Sequence, residues 1–558
     1  MANVASPLGI QYHAEHMVHA ISLDRIPATS RLFSDYCAAS DRIRALIPRH
    51  FRDPGAFPAQ ARLLDARRYD RRSLCGILKE QNERLGAAAP ALASLARLED
   101  PSAVVAIGGQ QAGLFGGPLY TLHKALTILA VARKAESDLG RPVVPVFWIA
   151  SEDSDLAEVD HAWVTDREGS LKLLRMPSGA PAKIPVSRVR LGEAVGPMLD
   201  ELAAVLPESD HAAQVMQELR SAYTPGRTYP QAFGAWMAAL FSPLGLALVD
   251  PSDNRLKRLA QGLFDAEITE KSPVSSAVRE QTARLRAAGY EPQIELRDGF
   301  LTLFHQDPAR DAITVTSRGF ELKASGRRFT TRELSELLER SPEAFTPNAV
   351  MRPLFQDTVF PTLAVILGPA EIAYFFELTL AYERMGIPMP LLLPRCSVTL
   401  VESKVERLRQ KLDVTLEQLL ERGDRVMDDI LRREIPAGLT RRIAEGRARA
   451  AETWDGLVAE IDRLDPTLNR TARIGAARAA SQFDFIERKI AQAARRKNDL
   501  LRRQVGRLTA SLAPRGGLQE RVLCAPPFLA AYGRRIIDTA MSVVDPFSME
   551  HRAVVIEP

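Results

Sequence analysis

The chain has 558 residues, 46% of them hydrophobic and 25% charged, with a formal net charge of +4. That length suits two to four domains, and the composition is that of an ordinary soluble globular protein. So small a charge argues against a nucleic-acid or membrane-surface partner. Four cysteines, Cys37, Cys75, Cys396 and Cys524, are scattered with no CxxC pair, which argues against a structural zinc site or disulfide framework and suits a reducing cytoplasm.

The first twenty residues show no basic segment followed by an apolar core, so no export signal is read there. The first hundred residues read as mostly helical, with breaks at Pro27 and Pro54. From Ala103 the texture changes. "AVVAIGG" is a short apolar run ending in glycines, which predicts a buried strand. Leu119, Leu122, Leu126 and Leu129 then recur at helical spacing, and "PVVPVFWIA" predicts a second buried strand ending near Ile149. Strand, loop, helix, strand is a βαβ unit and argues for a parallel sheet with crossover helices.

"PLGLALVDPSDNRLKRLAQGLF" repeats the pattern, with a strand over Leu246–Val249 and a helix start at Asp253 or Asn254. "PQIELRDGFLTLFH" predicts a hairpin turning at its central RDG. "TLAVIL" and "MPLLLPR" read as further core strands. The longest apolar run, Pro361–Tyr382, is interrupted by Gly368, Pro369 and Glu371 and is no membrane span.

After Ser397 the chain changes character. Val401, Val405, Leu408, Leu412, Leu416 and Leu419 form a narrow apolar stripe, and Pro436 and Gly438 mark a break. A second helical stretch, about Leu468–Leu508, carries Ala472, Ala479, Phe483, Ile486, Ile490 and Ala493 on one face. Two such helices predict an antiparallel coiled-coil hairpin. The organisation inferred is an α/β Rossmann-like core over 1–400, with connecting segments at about 185–235 (helical) and 268–345 (mixed α/β). A helical hairpin follows over 401–510, and a segment over 511–558 packs back on the core.

Three segments carry candidate chemistry. Between Gly108 and Gly117 lie five glycines and the pair Gln110–Gln111. Neither standard phosphate loop applies. Gly109 is followed two positions on by Gln111 rather than glycine, and Gly113 is followed by Leu114 rather than lysine. The loop nonetheless follows a strand and precedes a helix, where parallel sheets place ligands. Gly108, Gly113, Gly116 and Gly117 offer close backbone approach, and Pro118 suits the first helical position. His123 and Lys124, on the helix start, are placed to reach a phosphate or carboxylate. A tight structural turn is the plain alternative. In "WIASEDSDLAEVDH", Glu152, Asp153 and Asp155 follow the second strand, with Glu158, Asp160 and His161 beyond. Such carboxylates hold a metal, bind an amine or act as general base, although Asp155 with Glu158 also matches a capping box. In "NAVMRPLFQDTVFPTLAVILGPAEIAYF", Arg352 and Gln356 precede a strand, and Glu371 and Tyr374 share a helix face after it. A lone arginine such as Arg352 is more often a structural ion-pair partner than a catalytic group.

These blocks, together with "PATSRLFSDY", "LQERV" and "FLAAYG", resemble the bacillithiol biosynthesis cysteine-adding enzyme family, BshC, in order and across nearly the whole chain. The resemblance implies a Rossmann-like core and a coiled coil that supports homodimerisation. It implies addition of L-cysteine to the amino group of glucosaminyl-malate. Amide formation needs an activated carboxylate, so ATP/ADP is the expected nucleotide, with an ATP-derived acyl intermediate; a divalent metal is left open. The motif positions then nominate Lys124, His123, Glu152, Asp153, Asp155 and His161 for catalysis. For binding they nominate Gly108, Gln110, Gln111, Gly113, Gly116, Gly117, Tyr120, Arg352, Gln356, Glu371 and Tyr374. The chain departs from the family in two places: Ser154 stands where the acidic block usually has histidine, and "RVLCAPPFLAAYG" lacks the usual Asn and aromatics. A transferase acting on a related thiol or amino-sugar, or a coiled-coil scaffold with an inactive core, are the alternative readings.

Overall fold

A computed structural model describes residues 17–557 apart from 27–28, 178–183, 307–308, 435–436 and 498. The amino-terminal stretch read for an export signal, and the breaks at Pro27 and Pro436, lie largely or wholly outside the described residues. The chain divides into two compact units. The first comprises 1–167, 171–402 and 519–558, and the second comprises 168–170 and 403–518.

The first unit is built on a five-stranded parallel sheet. Its strands are β1 (Val104–Gln110), β2 (Val143–Ile149), β3 (Ala247–Val249), β4 (Thr362–Leu367) and β5 (Leu391–Pro394), in the order β5-β4-β1-β2-β3. Each is an apolar run, and β2, β3, β4 and β5 are buried along their whole length. A sheet covered on both faces needs such continuous runs rather than alternation. The parallel sheet inferred from the sequence is therefore present. Helix α1 (Tyr120–Leu139) connects β1 to β2 and ends at Gly140, whose φ of 63° suits a left-handed cap. α2 (Met351–Val359) and α3 (Pro369–Glu377) flank β4.

The chain runs outward from β1 through β2 to β3, then returns to lay β4 on β1's other side. The strand order reverses at β1 and β4, and the carboxyl ends there open into a crevice. Neighbouring strands close tightly at this point. A Cβ at Gly109 would sit 2.6 Å from the Trp148 carbonyl oxygen, and one at Gly108 would sit 2.9 Å from that of Ile366. Those glycines serve strand packing.

Between β2 and β3 the chain inserts a hairpin (His161–Thr165 with Leu171–Arg175) and helices Val195–Val205, Asp210–Ala222 and Tyr229–Phe241. Between β3 and β4, among the described residues, it inserts four helices and an antiparallel sheet of five short strands ahead of α2. The hairpin expected around RDG is displaced by one strand: Phe300–Gln306 pairs with Arg310–Thr316, and Pro292–Arg297 forms no strand. The physical reason is that the Glu377 carboxylate takes the N–H groups of Gln293 and Ile294, at 2.7 and 3.0 Å, so this backbone is tied to a side chain instead of a ladder. A three-stranded sheet of Met17–Ser22, Glu550–Ile556 and Ser397–Glu402, unforeseen from the sequence, joins both ends of the unit.

In the second unit, α4 (Ala437–Leu464) and α5 (Asn469–Lys497) form the hairpin. Gly446 faces the Phe483 ring and Gly475 faces the Trp454 ring, so numbering rises along one helix as it falls along the other. Arg447 adds ion pairs at 2.8 Å to Asp484 and Glu487. The stripe expected to form the first arm does not. Its helix ends at Lys411, Leu412 lies beyond it, and Asp413 turns the chain with a φ of 49° before a separate helix, Leu416–Arg422. In α5, Ala472 is buried but Ile486 is 47% exposed, because a two-helix seam covers only a narrow face.

Candidate active site

A cavity of 660 Å³ opens at the carboxyl ends of β1, β2 and β4. Gly109, Gln110 and Gln111 enter it from β1, and Trp148 and Ala150 from β2. Glu152, Asp153 and Glu158 follow β2, and Arg352 and Gln356 come from α2. Glu371 and Tyr374 come from α3. Phe304 and Arg310 come from the inserted antiparallel sheet, and Asn348 from the turn before α2.

The glycine loop divides into two parts with different roles. Gly109, Gln110 and Gln111 are partly exposed, whereas residues 112–117 are all buried. Gly108, Gly113, Gly116 and Gly117 do not line the cavity, contrary to the binding role expected of them. Gly116 N–H donates to the Tyr223 hydroxyl at 3.1 Å, and that hydroxyl donates to Gly113 O at 3.3 Å. Positive φ occurs at Phe115, Gly116 and Gly117, while Gly113 is extended at −67°. This half of the loop is a packed turn. Nor is the start of α1 an open anion site. Pro118 precedes the helix by two residues and pairs with Cys524, and the Leu119 N–H donates to Leu523 O at 2.8 Å.

Lys124 is buried beneath the cavity floor and does not line it. Its Nζ donates to Gly109 O at 2.7 Å, Gln110 Oε1 at 3.2 Å and Glu371 Oε2 at 2.7 Å. Burial lowers its pKa and Glu371 opposes that shift. Glu371 Oε2 also accepts from the Gly368 N–H at 2.6 Å. Lys124 thus holds three cavity-lining groups in place without touching the cavity itself. Tyr120 is a similar support: its hydroxyl accepts from Gln110 Nε2 at 3.3 Å, and the Arg395 guanidinium lies 5.5 Å from its ring centroid.

His123 faces away from the cavity. Its Nδ1 meets Glu520 Oε2 at 2.9 Å within a buried cluster. Glu520 also accepts from Arg395 at 2.7 Å, Ser397 Oγ at 2.9 Å and Val398 N–H at 3.0 Å. Arg395 and His123 hold the Glu520 carboxyl well below its ordinary pKa against the cost of burial, and burial lowers that of His123. Asp155 and His161 also lie off the cavity. Asp155 accepts from Ala157 N–H at 3.1 Å as a turn cap, and His161 Nδ1 meets Asp160 Oδ1 at 3.0 Å. Ser154, the departure from the family pattern, does not line the cavity either.

The acidic wall is anchored. Glu152 pairs with Lys257 at 2.6 Å; burial raises its carboxyl pKa, and Lys257 opposes that shift. Gln111 Nε2 donates to Asp153 Oδ2 at 2.8 Å and also meets Glu158. On the opposite wall Arg352 donates to the Tyr374 hydroxyl at 2.7 Å. Gln356 Nε2 donates to buried Asp357 Oδ1 at 2.9 Å. Asn348 Oδ1 accepts from the N–H groups of Val350 and Met351, both at 3.0 Å, fixing the start of α2. Among the described residues, no cluster of three or more His, Cys, Asp or Glu is placed to hold a metal. Phe304 and Arg310 escaped the sequence reading because they reach the site only through the inserted sheet, whose strands carry no motif.

A Rossmann-like sheet with a cavity at its switch point, lined by carboxylates, amides and arginines among apolar side chains, has the arrangement in which α/β proteins hold small molecules. The chain matches the model of the bacillithiol biosynthesis BshC N-terminal Rossmann-like domain over residues 18–396, and that of the BshC C-terminal coiled-coil domain over 398–556. It is 34% identical to a relative from Koribacter versatilis over 538 residues, 96% of this chain and 99% of that one. With a relative from Salinibacter ruber it shares 31% over 541 residues, 97% and 99% of the two chains. With one from Chlorobaculum tepidum it shares 32% over 547 residues, 94% and 96% of the two chains. All three carry the name of a candidate cysteine ligase, BshC. The chain belongs to the bacillithiol biosynthesis BshC family.

Proposed function

We propose that this protein is a cysteine ligase that joins the carboxyl group of L-cysteine to the amino group of glucosaminyl-malate, completing bacillithiol. The observation that carries the reading is the cavity at the switch point, which sets carboxylates and arginines around one space large enough for both substrates. An amine nucleophile must bind and lose a proton, and of the four carboxylates lining the cavity Glu371, Asp153 and Glu158 are the ones not buried and so open to that task. Glu371 is the best held, being fixed through one oxygen by Lys124 and the Gly368 N–H. ATP, when bound, would supply the activation of the cysteine carboxylate. Gln110, Gln111 and the β1 backbone offer neutral donors and acceptors at the carboxyl end of the sheet, where such a co-substrate fits the fold.

The protein is further proposed to act in the cytoplasm as a homodimer through the α4–α5 hairpin. No helix among the described residues is long and apolar enough to cross a membrane. The hairpin leaves Leu457, Ile474, Phe485 and Ile486 each more than 40% exposed, which an apolar partner face would cover. The test is purified protein incubated with L-cysteine and glucosaminyl-malate, with and without ATP, and mass detection of the cysteinyl product. Product that depends on ATP supports the reading. No product under any nucleotide would remove it.

A further inference from the structure

Arg310 is a cation whose surroundings leave it unfinished. It opens the strand Arg310–Thr316 of the inserted sheet, and its side chain lines the cavity. Its guanidinium lies 5.1 Å from the ring centroid of Phe304, which lines the same wall. Nη2 donates to a backbone carbonyl, that of Glu152. Nε is buried with no acceptor among the described residues. Two carboxylates stand near enough to act on Arg310 through their charge, Glu152 and Asp153. Both are engaged elsewhere: Glu152 with Lys257 at 2.6 Å, and Asp153 with Gln111 at 2.8 Å. Burial keeps the Arg310 pKa below its ordinary value despite these acids. A structural arginine in a protein interior is normally paired, because an unmet buried donor is costly. A guanidinium stacked on an aromatic ring, unpaired and facing a cavity is instead arranged to meet a ligand anion, since its fork matches carboxylate and phosphate oxygens.

We propose that Arg310 is a substrate-binding residue that takes an oxyanion of the ligand, carboxylate or phosphate, on the wall of the cavity that the inserted sheet supplies. The cavity then carries two separate cationic points, Arg310 and Arg352, brought by different elements. The proposal rests on the ligase reading only for the source of the anion: a malate carboxylate of the acceptor, or a phosphate of the nucleotide.

The experiment uses the full chain and its Arg310→Gln and Arg310→Lys variants. Calorimetric titration with malate, inorganic phosphate and ADP is run beside a melting curve. Arg310→Gln is expected to weaken malate or phosphate binding about tenfold or more at an unchanged melting temperature. Loss confined to malate assigns the carboxylate, and loss shared by phosphate and ADP assigns the phosphate; either supports the proposal. Unchanged affinity for all three in folded Arg310→Gln overturns it, as does a parent protein that binds none of them. If Arg310→Gln does not fold, Arg310→Lys decides, because it keeps the charge and loses the fork. Anion affinity must fall in it, and unchanged affinity overturns the proposal. Cysteine transfer is measured separately. Anion binding that depends on Arg310 in a protein with no transfer activity would keep this inference and remove the ligase reading.

Discussion

Lys124 is the most exacting point at which to test the site, because it touches no cavity space and yet ties together three groups that do. Lys124→Met replaces the ammonium with an apolar chain of similar length. Gly109 O and Gln110 Oε1 lose a donor, and Glu371 keeps only the Gly368 N–H on its bound oxygen. A fully buried acceptor left unmet costs about 1–3 kcal/mol, and the loss here is smaller because these residues are partly exposed and the buried charge is gone. The larger effect is expected on catalysis. Freeing the Glu371 carboxylate, whose side chain is 29% exposed, lets it shift by an ångström or so, and such a misplacement costs about a hundredfold in rate. Glu371→Gln should lose at least as much. Because Lys124 acts through Glu371, adding Lys124→Met to Glu371→Gln should change kcat/KM by no more than about 0.5 kcal/mol, the scatter of additive effects. Stability should move the other way. Glu371→Gln strands a buried ammonium, so the double variant should be more stable than Glu371→Gln alone, by up to about 3 kcal/mol. The assay is cysteine transfer for kcat/KM and urea unfolding for stability. Losses in kcat/KM that simply add would refute the reasoning and make Lys124 an independent participant.

Two further outcomes follow from the same structure. Burial raises the Asp357 carboxyl from 3.8 to about 6, against the hydrogen bonds it accepts from Tyr382 and Gln356. A raised carboxyl binds its proton more tightly folded than unfolded, so its contribution is fully present below pH 3.8 and is lost as pH rises through about 6. The swing is about 3 kcal/mol, so the stability of Asp357→Asn relative to the parent should climb between pH 4 and 6 and then level off; parallel urea-midpoint curves would exclude the assignment. In the hairpin, Phe485→Asp with Ile486→Asp places charges at apolar positions 45% and 47% exposed. Light scattering should report a monomer with helical circular dichroism retained, and an unchanged mass would move the dimer contact elsewhere.

How much of this was legible in the sequence depends on whether a feature is local. The core strands were readable because a strand buried on both faces must be apolar at every residue, and "AVVAIGG", "PVVPVFWIA" and "TLAVIL" are. The hairpin around RDG was misplaced because its fate is decided by Glu377, some eighty residues away in sequence, whose carboxylate claims the backbone N–H groups of Gln293 and Ile294. Arg310 was invisible for the same reason, since nothing in its own strand says that it will meet the Glu152 backbone just past the end of β2.

His123 and Lys124 show where local reasoning had more to give. Adjacent residues on a helix do not share a face. A start of α1 that aims Lys124 at Gly109 and Glu371 must therefore turn His123 aside, and the structure sends it to buried Glu520. One of the pair was always bound to be structural. Choosing which required knowing that the segment Gln519–Arg521 brings a carboxylate beneath the helix. The glycine loop divides by the same logic. Gln110 and Gln111 stay at the cavity because strand β1 ends there, and the glycines that follow are consumed in turning the chain beneath Tyr223. Glycine density in this loop marks the sharpness of that turn, and the two glutamines before it are the side chains of the loop that line the cavity.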